Sequence, residues 1–312
     1  MQFSLCGPTI LAVLALSVPA AAQTVDLEEA DLVVPAGSTA DVVINGETVR
    51  FRIAPDAISV PTVNADTATR LGLEPSMVGF VYVVGATQLP FRTDTVRYGM
   101  QGDTFRRRTA FGTEQVVEGA DGVAGPASFP HRRTILTLRD SQPEDRAITF
   151  PLDEEMGRSQ TGTWIGVDGR PIYVAFSFAR DESLVTATGG RWIADALGGY
   201  FEGEARDIPI LYGVERPVRT LALTHPLMLG ELEIRNLAVR VSDVGSSAGI
   251  AEGGLEPVDP SEIVVTANSG RDVPNQRMYL GLDTIGHCAS ITYDFEAETV
   301  TLMCPPQPAP GA

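Results

Sequence analysis

"FRIAPDAISVPTVNADTATRLGL", residues 51–73, is the stretch on which the reading of this chain turns. It runs from an apolar alternation typical of a strand, through a tight loop with Pro55 and Pro61, into a short helical pattern that stops at Leu71-Gly72-Leu73. Upstream, "VVINGETVRFRI" carries Asn45-Gly46, the dipeptide of a two-residue hairpin turn. Strand hairpin, loop and short helix thus form one unit.

The same unit recurs. "WIGVDGRPIYVAF" has Asp168-Gly169 at its turn, and "ARDESLVTATGGRWIADALGG" supplies the second loop and helix. Farther along, "QLPFRTDTV" matches "ERPVRTLAL", sharing Pro-apolar-Arg-Thr at 90–93 and 217–220. "GDTFRRRTAF" matches "GELEIRNLAV". Finally, "GPASFPHRRTI" matches "GLDTIGHCASI", so that Gly125, His131 and Ile135 fall on Gly281, His287 and Ile291. The spacing lengthens at this last block, which places an insertion over 246–276, a Gly/Ser/Pro-rich stretch. Short Val/Ile/Phe/Tyr runs broken by Asn-Gly, Asp-Gly and Pro dominate, so the expectation is a mostly β protein of two repeated halves.

The ends read differently. Residues 1–22 close an apolar run on Ala20-Ala21-Ala22, the pattern of an export signal, with Gln23 as the new start. Cys6 belongs to that leader. The run is shorter than the roughly 20 residues a membrane span needs. The tail "PPQPAPGA" (305–312) is Pro-rich and is expected to be disordered. Expected domains are therefore 23–150 and 151–304, with the boundary near "FPLDEEMGRSQTG".

Net charge is −17, and every basic side chain is Arg. No basic stripe offsets phosphate repulsion, so nucleic acid is not expected as a partner. Cys288 and Cys304 flank "ASITYDFEAETVTLM", which folds as a hairpin about Glu296 and sets the two cysteines opposite each other. A cross-strand disulfide follows in an exported protein. Two cysteines and three scattered histidines do not make a zinc site, and the glycine clusters lack the pattern of a phosphate cradle, so neither metal nor cofactor is expected. No Ser-His-Asp arrangement can be assembled from the sequence. The repeat itself accounts for the placement of His131 and His287, and His225 in "LTHPLML" reads as a loop residue.

The repeated blocks resemble the pepsin and retropepsin superfamily, most closely the bacterial exported proteins called aspartyl-protease-like. "VVINGETVRFRI", "RLGL" (70–73) and "DGVAGPASF" (121–129) fit its first lobe; "GVDGRPIYVAF" and "MYLGLDTIGHCASITYDF" fit its second. The resemblance implies two β-barrel lobes related by a pseudo-twofold axis. Each lobe of that superfamily offers one aspartate, in Asp-Thr/Ser-Gly, to a dyad that shares a proton and activates water. Here the pattern breaks. Counting from Gly46 reaches Ala54; counting from Gly169 reaches Ser177, or Ala179 if the strand is two residues longer. None of the three carries a carboxylate. Asp56 and Asp181 lie nearby, each two residues after an Ala, but without the glycine of the triplet, and Arg180 beside Asp181 favours an ionised carboxylate.

The expectation is an exported pseudopeptidase that binds an extended peptide or protein segment between its lobes. Two alternatives stand beside it: an active endopeptidase using Asp56 and Asp181, and a cell-envelope scaffold with a vestigial cleft. "EIVVTA" (262–267) resembles the segment by which TonB-dependent receptors engage their energising partner, and implies an envelope-protein partner by strand addition.

Overall fold

The computed structural model describes residues 26–155, 160–241, 246–253 and 276–306. The leader at 1–22, most of the 246–276 insertion with its segment 262–267, and most of the tail lie outside the described residues.

The first half begins with β1 (Asp31–Pro35) and the hairpin of β2 (Thr39–Ile44) and β3 (Glu47–Ile53). Then come β4 (Thr62–Val63), α1 (Ala65–Leu71), a long hairpin of β5 (Gly79–Val84) and β6 (Thr87–Met100), and β7 (Asp103–Phe111). β8 (Gly122–Ala124) leads through a 3-10 turn, Pro126–Ser128, to β9 (Arg133–Thr137) and β10 (Arg146–Pro151).

The second half follows with β11 (Asp153–Glu155), β12 (Gln160–Val167), β13 (Arg170–Phe176) and β14 (Leu184–Val185). Next are α2 (Ala187–Leu197), the long hairpin of β15 (Gly199–Leu211) and β16 (Val214–Leu229), β17 (Leu232–Arg240) and β18 (Ala251–Glu252). β19 (Arg277–Leu280), α3 (Leu282–Ile285), β20 (Ser290–Asp294) and β21 (Thr299–Cys304) complete the chain.

The protein is mostly β, as the alternating runs predict. One sheet has the order β2-β3-β8-β4-β7-β6-β5, and β2 also pairs with β6, closing six strands into a barrel. Another runs β11-β12-β13-β19-β14-β17-β16-β15-β18. From β12 to β15 this order repeats the first sheet strand for strand, with the same directions: β3–β8 and β13–β19 are parallel, as are β4–β7 and β14–β17. The register agrees as well. Thr93 of "PFRT" pairs with Ala110, and Thr220 of "PVRT" pairs with Ala238. Among the described residues β12 does not return to β16, so the second sheet lacks the closing pair of the first.

A five-stranded sheet, β1-β9-β20-β21-β10, draws strands from both halves. β9 and β20, the closing strands of the two repeats, lie antiparallel at its centre. The predicted boundary near residue 150 therefore falls at the end of β10, a strand that pairs with β21 of the other half.

The helices end where the sequence says they do. Gly72 is left-handed at φ 64°, and its N–H reaches the carbonyls of Ala68 and Thr69; Leu-Gly-Leu is thus a helix stop with a glycine C-cap. Strand faces follow alternation: Val42 and Ile44 of β2 and Val49, Phe51 and Ile53 of β3 point into one core with Tyr98 and Leu136. Burying a side chain such as Phe51 contributes about 2–3 kcal/mol of apolar transfer energy. β13, buried on both faces from Ile172 to Phe176, reads as a continuous apolar run for that reason.

Candidate functional site where the two repeat loops meet

β3 and β13 each deliver the chain into the loop that the sequence singles out. After Ile53, Ala54 N donates to Ala124 O at 2.9 Å, and Ala57 N donates back to Ala54 O at 3.1 Å, which tightens the loop. Gly125 supports it from below: its N–H donates to Ile58 O, and a Cβ there would meet Ala57 O at 2.5 Å. In the second half Ser177 N donates to Leu280 O, and Leu282 N and Asp283 N donate to the carbonyls of Arg180 and Asp181. Gly281 performs the office of Gly125, since a Cβ on it would strike the Glu182 carbonyl carbon at 2.6 Å. The repeat match of these two glycines is therefore a match in function.

The two loops meet. Ser177 Oγ donates to Asp56 Oδ2 at 2.6 Å, and accepts from Ala179 N at 3.3 Å. Ser177 is fully buried. Asp56 is half-buried, and its backbone carbonyl accepts from Gln160 Nε2 at 2.5 Å. Gln160, at the start of β12, was not singled out by the sequence reading; nothing in its local pattern marks it. Both grips on residue 56 come from the opposite half of the chain.

Of the sequence-derived candidates, Asp56 and Ser177 come together and the rest do not. Ala54 is half-buried, with its N–H committed to Ala124. Ala179 and Asp181 are exposed, and among the described residues no hydrogen bond joins the Asp181 carboxylate to Asp56. Asp181 contributes its backbone carbonyl to the loop instead. The nearby Asp283 carboxylate pins that loop by accepting from Ser183 N and Oγ at 2.9 and 2.8 Å.

Arg180 does not hold Asp181 in the way its sequence position suggests. Its guanidinium donates to Pro209 O and Ile210 O at 3.0 and 2.8 Å and lies over the Tyr279 ring. It fastens β15, as does the Arg206–Glu182 ion pair. This brings the tip of the β15/β16 hairpin, Tyr212-Gly213, against the β5/β6 hairpin of the first half. Tyr212 packs on Tyr82 and Phe91, with ring centroids 5.8 and 5.6 Å apart, and Phe80 stacks on Phe91. Leu211 and Val214 join Leu89 and Phe91 in the same cluster.

The electrostatics of this cover tie it to the loops below. Burial pushes the Tyr212 phenol up to about 12, and the Asp56 charge pushes in the same direction. Burial also raises Tyr82 well above the ordinary phenol value, helped by its hydrogen bond with Tyr212. Both hydroxyls stay protonated at neutral pH and serve as hydrogen-bond groups. A contact between hairpin tips so far apart in sequence has no local signature.

Cys288 and Cys304 form the predicted disulfide at the end of the five-stranded sheet. His287 lies beside them, its ligand atom within 4.8 Å of both sulfurs, but the sulfurs are bonded to each other and offer no thiolate. Among the described residues no other group of three His, Cys, Asp or Glu converges in this way, and no helix is long and apolar enough to cross a membrane. His225 is exposed. In comparisons with known proteins, no family model matches the chain and no curated protein is significantly similar to it.

Proposed function

We propose that this chain is an exported, two-lobed relative of the pepsin and retropepsin superfamily that has lost hydrolytic chemistry and grips an extended peptide or protein segment between its halves. One observation carries the reading: a buried hydroxyl, Ser177, meets the single carboxylate of Asp56 where a dyad would need a second carboxylate. A hydroxyl neither supplies nor shares an acidic proton as a second carboxyl would. The repeated strand order and the sheet that draws strands from both halves support the two-lobed kinship.

The binding half of the proposal rests on the hairpins. β5/β6 and β15/β16 form two lips, one from each repeat, which close through apolar and aromatic contacts. Such a contact is separable, and an extended segment entering between the lips would add backbone hydrogen bonds to hairpin edges. The disulfide fits a chain that matures in an oxidising compartment.

The test pairs two assays on the mature protein. Casein and mixed decapeptide libraries should remain intact between about pH 3 and 7, where a dyad would work. The same peptides should bind saturably by fluorescence anisotropy. Cleavage that disappears in both Asp56→Asn and Asp181→Asn would establish the active peptidase instead; absence of both cleavage and binding would leave the scaffold reading.

A further inference from the structure

Among the described residues β5 ends its sheet and pairs only with β6. An edge strand offers a row of unpaired backbone N–H and C=O groups, which proteins commonly guard with charge or proline. The repeat supplies an internal comparison. β15, the equivalent strand of the second half, carries exposed Glu202, Glu204, Arg206, Asp207 and Pro209, and β18 covers its start at Tyr200 and Phe201. β5 has no such guard. From Pro75 to Phe91 the sequence holds no charged residue.

The outer face of this edge is apolar as well. Val81 and Val83 are 50 % and 64 % exposed, and Met77 and Val78 just before the strand are exposed too. The inner face is occupied, since Phe80 and Tyr82 pack on Phe91. What fits the edge can be read from the strand. Residues 78–84, Val-Gly-Phe-Val-Tyr-Val-Val, have nearly the same character in both directions about Val81. Two such strands related by a twofold axis perpendicular to the sheet run antiparallel, and residues directly opposite share a face. With the axis at Val81, that residue meets its own copy, Phe80 faces Tyr82, Val78 faces Val84, and Val83 faces Gly79. Every pair is uncharged, and the aromatic pair is of the kind that stabilises neighbouring strands. A Cβ on Gly79 would meet Phe91 O at 2.5 Å, so that position stays bare and leaves room for Val83 opposite.

We propose that β5 pairs with β5 of a second copy of this chain, joining two seven-stranded sheets into one across a twofold axis at Val81. About six backbone hydrogen bonds would form between the chains. A net charge of −17 sets two copies against each other over most of their surface, so an uncharged edge is where they approach at least cost. The pairing does not depend on the cleft reading, and it leaves the β15 edge of the other lip open to an extended segment.

Sedimentation velocity on the mature protein tests this. Between about 1 and 500 μM the monomer should pass to a dimer, as suits an interface below the standard size. Val81→Lys sets two cations opposite each other at the axis and should weaken the dimer at least about tenfold. Val33→Lys, at a comparably exposed valine on β1, should leave it within about twofold. The register has its own readout, because the native cysteines are already bonded to each other. Val81→Cys brings two thiols opposite and should form an interchain disulfide under mild oxidation. Val83→Cys should cross-link at least about tenfold more slowly, since its two copies stand about 13 Å apart along the strands. A protein that stays monomeric up to about 500 μM would overturn the inference. So would a dimer that Val81→Lys leaves intact or that Val33→Lys weakens equally, or Val83→Cys cross-linking as fast as Val81→Cys.

Discussion

Ser177 Oγ donates to Asp56 Oδ2 at 2.6 Å across 121 residues of sequence, so the two repeat loops are joined by a hydroxyl–carboxylate bond. Ser177→Ala removes the donor and leaves a half-buried carboxylate oxygen short of a partner, at a cost of about 1–2 kcal/mol in urea unfolding. Ser177→Asp sets two carboxylates against each other. One of them must hold a proton to relieve the repulsion, so the native state binds more protons than the unfolded chain above about pH 4. The variant should therefore lose about 2 kcal/mol relative to the parent as pH rises from about 4 to 7. A parallel pH profile for variant and parent would contradict this geometry.

The two histidines of the repeat make stability depend on pH in a separate window. Burial lowers both His131 and His287, and the Arg139 charge lowers His287 further. A depressed folded pKa means the unfolded chain takes up the proton first. Stability is then complete above about pH 6.5 and falls as pH drops through the folded values. Melting temperature should decline over that range, and the decline should flatten in His131→Gln/His287→Gln. Asp31 and Glu252 act lower: Arg133 and Arg219 hold their carboxyls below the usual range, so they contribute stability that is present above about pH 4 and lost as pH falls below it, and Asp31→Asn/Glu252→Gln should lower stability at neutral pH and flatten the limb below about pH 4.

The Cys288–Cys304 bond closes a loop with a sequence separation of 16. Cross-linking of that span contributes about 3 kcal/mol through the unfolded state. Because both cysteines are buried, a mild reductant should leave the folded protein oxidised and act only once urea has opened it. Urea midpoints with and without reductant check the first statement, and thiol trapping under native conditions checks the second.

Tyr82 and Tyr212 couple the two hairpins edge to face at 5.8 Å. A double-mutant cycle with Tyr82→Leu and Tyr212→Leu should return a coupling energy of about 1 kcal/mol. Since the chain has no lysine, trypsin cuts only at arginine, and of Arg206 and Arg216 on the β15/β16 hairpin only Arg206 is cleavable, because Pro217 follows Arg216. Tyr212→Leu should hasten cleavage at Arg206 specifically, with mass spectrometry locating the cut. Unchanged protection would mean that Arg180 and Arg206 alone hold the hairpin down.

Much of this architecture is written in local sequence. Asn45-Gly46 and Asp168-Gly169 fix two hairpins because both turn residues must adopt positive φ, as they do. Gly72 stops α1, and alternation assigns the faces of β2 and β3. The matched blocks place Gly125 on Gly281 and "PFRT" on "PVRT", because each block carries its own strand register. The cysteines announced their pairing by symmetry about Glu296. What no local pattern encodes is which groups meet after some hundred residues of intervening chain. Ser177 reaching Asp56 rather than Asp181, Arg180 turning to the carbonyls of Pro209 and Ile210, Gln160 gripping residue 56, and Tyr212 closing on Tyr82 are all long-range. They are decided by how the sheets pack, since a side chain's partner depends on the direction its strand delivers it, and one residue of register reverses that direction.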